Sequence, residues 1–155
     1  MKPYEVFAGH FGGNVAFNSE FIVERAGRFY MLNPRLKRLP GNFYYAGLYL
    51  GKVKRGIFFP SFNLLNLLAP GAENKVVVDR KAAWLFICGR DVFASGVLKV
   101  MGRTRKGEHT LVLNEYGECL GFGRIAAGLK GKSEEVAVKN VLDAGDFLRR
   151  ERQGE

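Results

Sequence analysis

The chain has 155 residues, enough for one domain with a sizeable core or for two small ones, and its 47% hydrophobic content is that of a globular protein that folds without staples. Twenty-four basic residues against fifteen acidic ones give a formal charge of +9, an excess that favours a polyanionic partner, either nucleic acid or an anionic membrane surface. Cys88 and Cys119 lie in apolar runs without CxxC spacing, which argues against a disulfide framework or a metal site and predicts buried, reduced thiols. No apolar run is long enough to cross a bilayer, and the first five residues lack the apolar core of a signal peptide, so a cytoplasmic protein is expected.

Residues 1–20 scatter Phe7, Phe11 and Phe17 among Gly9, Gly12 and Gly13, which discourages a long helix and leaves the stretch largely unassigned. Phe21–Arg25 and Arg28–Leu32, joined by Ala26-Gly27, read as two paired strands, and Asn33-Pro34 opens a short helical turn through Lys37. Tyr44–Lys54 reads as a longer strand paired, across Arg55-Gly56, with Ile57–Pro60, giving an antiparallel meander. Ser61 is a good N-cap for a helix over Phe62–Ala69 that Pro70 and Gly71 end, with Leu64, Leu65, Leu67 and Leu68 buried on more than one side.

The breaker-rich Pro70–Glu73 is the best boundary in the chain, placing an N-terminal domain over 1–72 and a second over 73–155. The junction is too short to be a tether, so the halves should pack against each other. Up to Glu73, nine Lys/Arg less four Asp/Glu leave +5, and after it fifteen less eleven leave +4, so the surplus spans both halves. The second half reads as a strand at Lys75–Asp79, a helix over Arg80–Cys88 ended by Gly89, a turn through Val92–Val97, a strand to Met101, the basic loop Gly102–Gly107, and a strand at Thr110–Leu113. Trp84, Phe86, Tyr44, Tyr45 and Tyr49 are expected in cores.

A hairpin organises this half: Leu111–Leu113 leads in, Glu115–Glu118 turn, and Leu120–Ala127 return with Gly121 and Gly123 on one face. Glycines spaced by two inside a strand mark a bulge or the close approach of another backbone. Gly121, Gly123 and Ala126 also fit G-x-G-x-x-A, with Asp143 near the distance of a ribose-binding acid, but a dinucleotide fingerprint must open a helix, and Gly128 and Gly131 interrupt the segment where that helix would run. Val136–Val138 with Val141-Leu142 forms a last strand region. A helix over Asp143–Arg152 closes the chain, its acids at the start and arginines at the end as the helix dipole prefers.

The strand at Lys75–Asp79, the helix to Gly89, Ser95-Gly96-Val97, Leu120-Gly-Phe-Gly123 and the closing elements together resemble a PUA domain, an RNA-binding module. Leu67–Pro70, Leu120–Ala127 and Asp143–Arg149 are, beyond that, similar to the Nip-seven family of large ribosomal subunit assembly proteins, in its compact archaeal form. The resemblance covers about Phe21 to the end and departs before it, where the N-terminal segment is shorter than in eukaryotic members. It implies an α+β protein: an N-terminal α/β domain with an antiparallel sheet, then a mixed β pseudobarrel of PUA type. It also implies contacts with single-stranded or pre-ribosomal RNA, and assembly-factor and exosome partners; we expect a monomer without cofactor or membrane contact.

RNA binding needs cations for phosphates and planar groups for unpaired bases. The candidates are Arg149, Arg150 and Arg152 on the closing helix, Lys130 and Lys132 after the hairpin, and Arg103, Arg105 and Lys106 in the loop. Arg80, Lys81 and Arg90 flank the helix that the resemblance places on the RNA surface, and Gly96 marks a turn where RNA could approach backbone or where the turn itself needs glycine. Catalysis finds no support: His10 and His109 stand apart in sequence, Asp143 and Asp146 fit a helix cap and first turn, and no P-loop or metal-ligand spacing occurs. The expected function is therefore a non-catalytic RNA-binding factor in pre-rRNA processing and large-subunit assembly. The alternatives are a protein-interaction adaptor, or an RNA-modifying protein with the PUA domain as its handle.

Overall fold

A computed structural model describes residues 1–13, 15–41, 46–130, 134–146 and 149. Where the glycine-interrupted N-terminus had no assigned element, Pro3–Gly9 forms a short helix, α1. Its glycines limit its length, yet Tyr4, Phe7, Ala8 and Phe11 recur at helical spacing and are buried. The strands Ile22–Arg25 (β1) and Arg28–Met31 (β2) come next, then helix Pro34–Arg38 (α2), the strands Leu48–Lys54 (β3) and Ile57–Pro60 (β4), and helix Phe62–Leu68 (α3). The β1–β2 turn has positive φ at Ala26 and Gly27, the β3–β4 turn at Arg55 and Gly56, as two-residue hairpins require. Ser61 caps α3, its Oγ accepting from Leu64 N–H at 3.2 Å. Leu64, Leu65 and Leu68 are buried, and Leu67 is exposed. These four strands form an antiparallel meander in the order β1-β2-β3-β4.

The second half contains β5 (Lys75–Val78), α4 (Arg80–Ile87), β6 (Val92–Phe93), β7 (Val97–Met101), β8 (His109–Leu113), β9 (Cys119–Ile125) and β10 (Val136–Asp143). Their order is β6-β10-β9-β8-β5-β7, mixed because β5 and β8 run parallel, and the sheet curls around Val76, Val78, Phe86, Val112 and Val138. The architecture is α+β, with an antiparallel sheet followed by a curled mixed sheet. The glycine pair in β9 has the reason its spacing indicated. A Cβ at Gly121, where φ is +146°, would run into the Leu142 carbonyl, and one at Gly123 into the Lys139 carbonyl, both on β10. Register shifts in β8–β9 and β9–β10 mark bulges beside Gly121 and Gly123.

One core joins the two sheets. Leu111 and Phe122 of the second sheet pack with Tyr4, Phe11, Leu50 and Leu64 of the first half. The polar counterpart is Asn74, 1% exposed. Its Nδ2 donates to the His10 carbonyl at 3.0 Å, its Oδ1 accepts from Arg103 N–H at 2.9 Å, and its own N–H donates to the Phe11 carbonyl at 2.8 Å.

Three sequence-based expectations change. Trp84 is not in a core: Ala82 and Phe86 turn inward on α4, and a residue two positions from each points the other way, leaving Trp84 65% exposed. Cys88 is exposed at the C-cap of α4, and Cys119 is only partly buried. Asp143 ends β10 and is buried there instead of capping a helix. Tyr44 and Tyr45 lie outside the described residues, and Tyr49 is half-buried against Tyr30.

Replacing Asn74 by Ala leaves the His10 carbonyl and the Arg103 N–H without their partners. We expect a loss of about 2 kcal/mol in unfolding free energy, read from urea denaturation, at about 1 kcal/mol for each of the two part-buried hydrogen bonds removed.

Candidate nucleic-acid interface

Helix α4 begins at an N-cap, Asp79, whose Oδ1 accepts from Ala82 N–H at 2.7 Å. With Ala82 and Phe86 packed inward, Arg80, Lys81 and Trp84 share the outer face. Gly96 presses on this helix: a Cβ there would collide with the Ala82 Cβ, and its carbonyl accepts from Asp79 N–H at 2.9 Å. Close packing therefore explains the glycine. Beside it a hollow of about 340 Å³ is lined by Lys81, Leu85, Phe93, Ser95 and Gly96 together with the carboxylates of Asp79, Asp91 and Glu134. Phe93 is 44% exposed, Asp79 is engaged as the cap, and Asp91 accepts from Asn140 N–H at 2.8 Å.

Arg90 is exposed just beyond the C-terminal end of α4. Arg103, Arg105 and Lys106 are exposed in a loop moored by the Arg103–Asn74 bond. Gly102, with φ of +77°, leaves room for that mooring, since a Cβ there would strike Asn74 Oδ1. Arg149 has a different role from the one its sequence position implied. Its Nη2 pairs with Asp143 Oδ2 at 2.7 Å and its Nη1 donates to the Ile87 carbonyl at 2.8 Å, so the guanidinium latches the chain end to the last turn of α4. The hydrogen bond to Asp143 raises the Arg149 pKa. Asp143 also accepts from Gly145 N–H at 2.9 Å and Asn140 Nδ2 at 3.1 Å, so both oxygens of this buried carboxylate are hydrogen-bonded. Arg150, Arg152 and Lys132 lie outside the described residues, and Lys130 ends the 3-10 turn Ala127–Lys130.

The structure also assembles groups that sequence reading kept apart. His10, at the end of α1, stacks on His109 of β8 with ring centroids 4.6 Å apart. Burial first, then the neighbouring His10 and Arg124, lower the His109 pKa to about 4. Beside the stack a groove of about 1270 Å³ opens between the two sheets, with Val6, Ile57, Phe59, Arg124 and Val141 among its lining. Among the described residues no helix is long and apolar enough to cross a membrane and no cluster of metal-ligating side chains occurs.

Residues 74–152 match the model of the UPF0113 PUA domain family, about half of the chain. The chain belongs to that family. A UPF0113 protein of Archaeoglobus fulgidus is 32% identical over 117 residues, which cover 72% of this chain and 65% of that protein. The chain thus spans a little less than two thirds of that relative's length. A conserved PUA domain protein from Thermoplasma acidophilum superposes with a TM-score of 0.57 at 22% identity, over 84% of this chain and 79% of that one. A hypothetical protein from Pyrococcus horikoshii superposes with a TM-score of 0.54 at 22% identity, over 83% and 76%. A PUA domain from Aeropyrum pernix gives 0.52 at 23% identity, over 63% and 58%. At these identities the likeness is one of fold, and it extends through both sheets in the first two. The second half is therefore a PUA domain, an RNA-binding fold, as its hairpin and its Ser95-Gly96-Val97 turn indicated.

The His109 environment fixes a pH dependence. A histidine held near 4 when folded and near its ordinary 6.5 when unfolded favours the folded state fully above pH 6.5 and progressively less as pH falls to about 4. His109→Gln should flatten that part of the fall in melting temperature between pH 7 and 4, read by thermal denaturation. Equal slopes for the two proteins would contradict it.

Proposed function

We propose that this protein is a non-catalytic RNA-binding factor of the Nip-seven type, acting in pre-rRNA processing and large-subunit assembly in the cytoplasm. The carrying observation is Trp84, a large aromatic ring 65% exposed on the outer face of α4 with the cations Arg80 and Lys81. An exposed aromatic plane beside cations suits an unstacked base flanked by phosphates. The family membership supports the same reading, because the exposed face belongs to the PUA half. In this scheme α4 supplies stacking and charge, Arg90 and the Arg103–Lys106 loop extend the basic surface, and the Asp143–Arg149 latch holds the chain end against α4. The N-terminal sheet docks assembly factors.

An oligouridylate carrying a fluorescent label tests the reading by anisotropy. Trp84→Ala should weaken binding about tenfold, within the 1–3 kcal/mol that one stacked base contributes, and leave the unfolding midpoint unchanged because the ring is exposed. Unaltered affinity would remove Trp84 from the interface. Partner capture that survives nuclease, by a protein that retains no RNA, would favour an adaptor instead.

A further inference from the structure

Across β8, β9 and β10 the strand register sets three basic side chains abreast: His109 opposite Arg124, and Arg124 opposite Lys139. Opposed residues of an antiparallel pair project from the same face, with Cβ atoms about 5 Å apart. That face is the outer one, because Thr110, Ile125 and Val138, the next residues along each strand, are buried on the other side. Arg124 and Lys139 are exposed. One step further in, on the same face, Leu111, Phe122 and Leu142 pack into the core shared with the N-terminal half. The basic row thus stands where the two halves part, with His10 closing its end over His109.

Like charges directly opposite one another on neighbouring strands are destabilising. Neither Arg124 nor Lys139 forms an ion pair with a carboxylate among the described residues. The acids in the adjoining groove are accounted for: Asp143 is held by Arg149, and Asp146 has an interaction of its own. Arg124 and Lys139, two uncompensated cations with the neutral His109 imidazole at their end, beside exposed Ile57, Phe59 and Val141, are complementary to a ligand that is anionic along one side and apolar and planar on the other.

We propose that Arg124 and Lys139, with His109 at their end, form a phosphate track for single-stranded RNA, separate from the α4 face, and that bases of the same strand enter the groove between the two sheets. The inference rests on the RNA-binding reading and adds a second contact surface to it. An extended strand is the occupant that uses both features, its phosphates crossing β9 and β10 and its bases lying against Phe59 and Val141.

The test is anisotropy titration of the full chain with labelled oligouridylate over a series of salt concentrations. Arg124→Ala/Lys139→Ala should weaken binding at least about tenfold and reduce the slope of log affinity against log salt by about 1.4, two single-strand phosphate contacts' worth. Arg124→Lys/Lys139→Arg should retain the wild-type slope. Arg28→Ala/Lys54→Ala removes the same charge from exposed positions on the N-terminal sheet and should change affinity less than about twofold. If wild type binds, Trp84→Ala weakens it and the β9–β10 double variant does not, the track is overturned while the RNA reading stands. An equal loss in the N-terminal control also overturns it, because the effect is then one of net charge. No binding by wild type overturns both, and displacement of RNA by polyglutamate of equal charge assigns the row to an acidic protein instead. The variants are at exposed positions, and unchanged circular dichroism melts establish that they fold.

Discussion

Asn74 is the small polar joint on which the two halves hinge their common register. It lies buried just before β5, binds His10 and Phe11 immediately after α1, and moors the basic loop through Arg103. Its own carbonyl accepts from Leu111 N–H at 3.0 Å on β8. A buried carboxamide whose donors and acceptors are met by groups from several segments admits few alternative arrangements, since each slip orphans a polar group. The apolar core shared by Tyr4, Phe11 and Phe122 supplies the adhesion. Asn74 supplies its direction, and the meeting of His10 with His109 is a consequence.

The second constraint is steric. Gly121 and Gly123 leave β9 without side chains where the Leu142 and Lys139 carbonyls of β10 come close. That approach curls the sheet and also sets Lys139 beside Arg124 on the outside. The same hairpin thus builds the barrel's interior and its charged exterior. The cations divide accordingly: Arg149 serves the architecture, latched to Asp143 and Ile87, whereas Arg80, Lys81, Arg124 and Lys139 project outward. Surplus positive charge in this chain is informative only after that division has been made.

Much of the fold was legible because it is written in local chemistry. Ala26-Gly27 and Arg55-Gly56 are turn residues, Ser61 is a cap, and a glycine pair inside a strand points to a neighbouring backbone. The N-terminal helix was hidden because its glycines lower intrinsic helix propensity, and its burial depends on Phe122, far away in sequence. Trp84 was misplaced because a run of apolar letters in a short helix does not say which two residues turn inward. The site was less legible still. Arg149 looked like the first of three free arginines until Asp143 was seen at the end of β10, and Arg124 and Lys139 became neighbours only through strand register. Charge content is a property of the composition, while charge placement belongs to the tertiary structure.

Photo-crosslinking tests the central claim, that unpaired RNA lies on the outer surface of the PUA half, most directly. The full chain is irradiated with a 4-thiouridine oligomer, and the attached peptides are identified by mass spectrometry. The result expected is crosslinking to the α4 peptide containing Trp84, with the RNA otherwise recovered unchanged in length and nucleoside composition. Crosslinks confined to the four-stranded N-terminal sheet, or RNA returned cleaved or modified, would contradict the account.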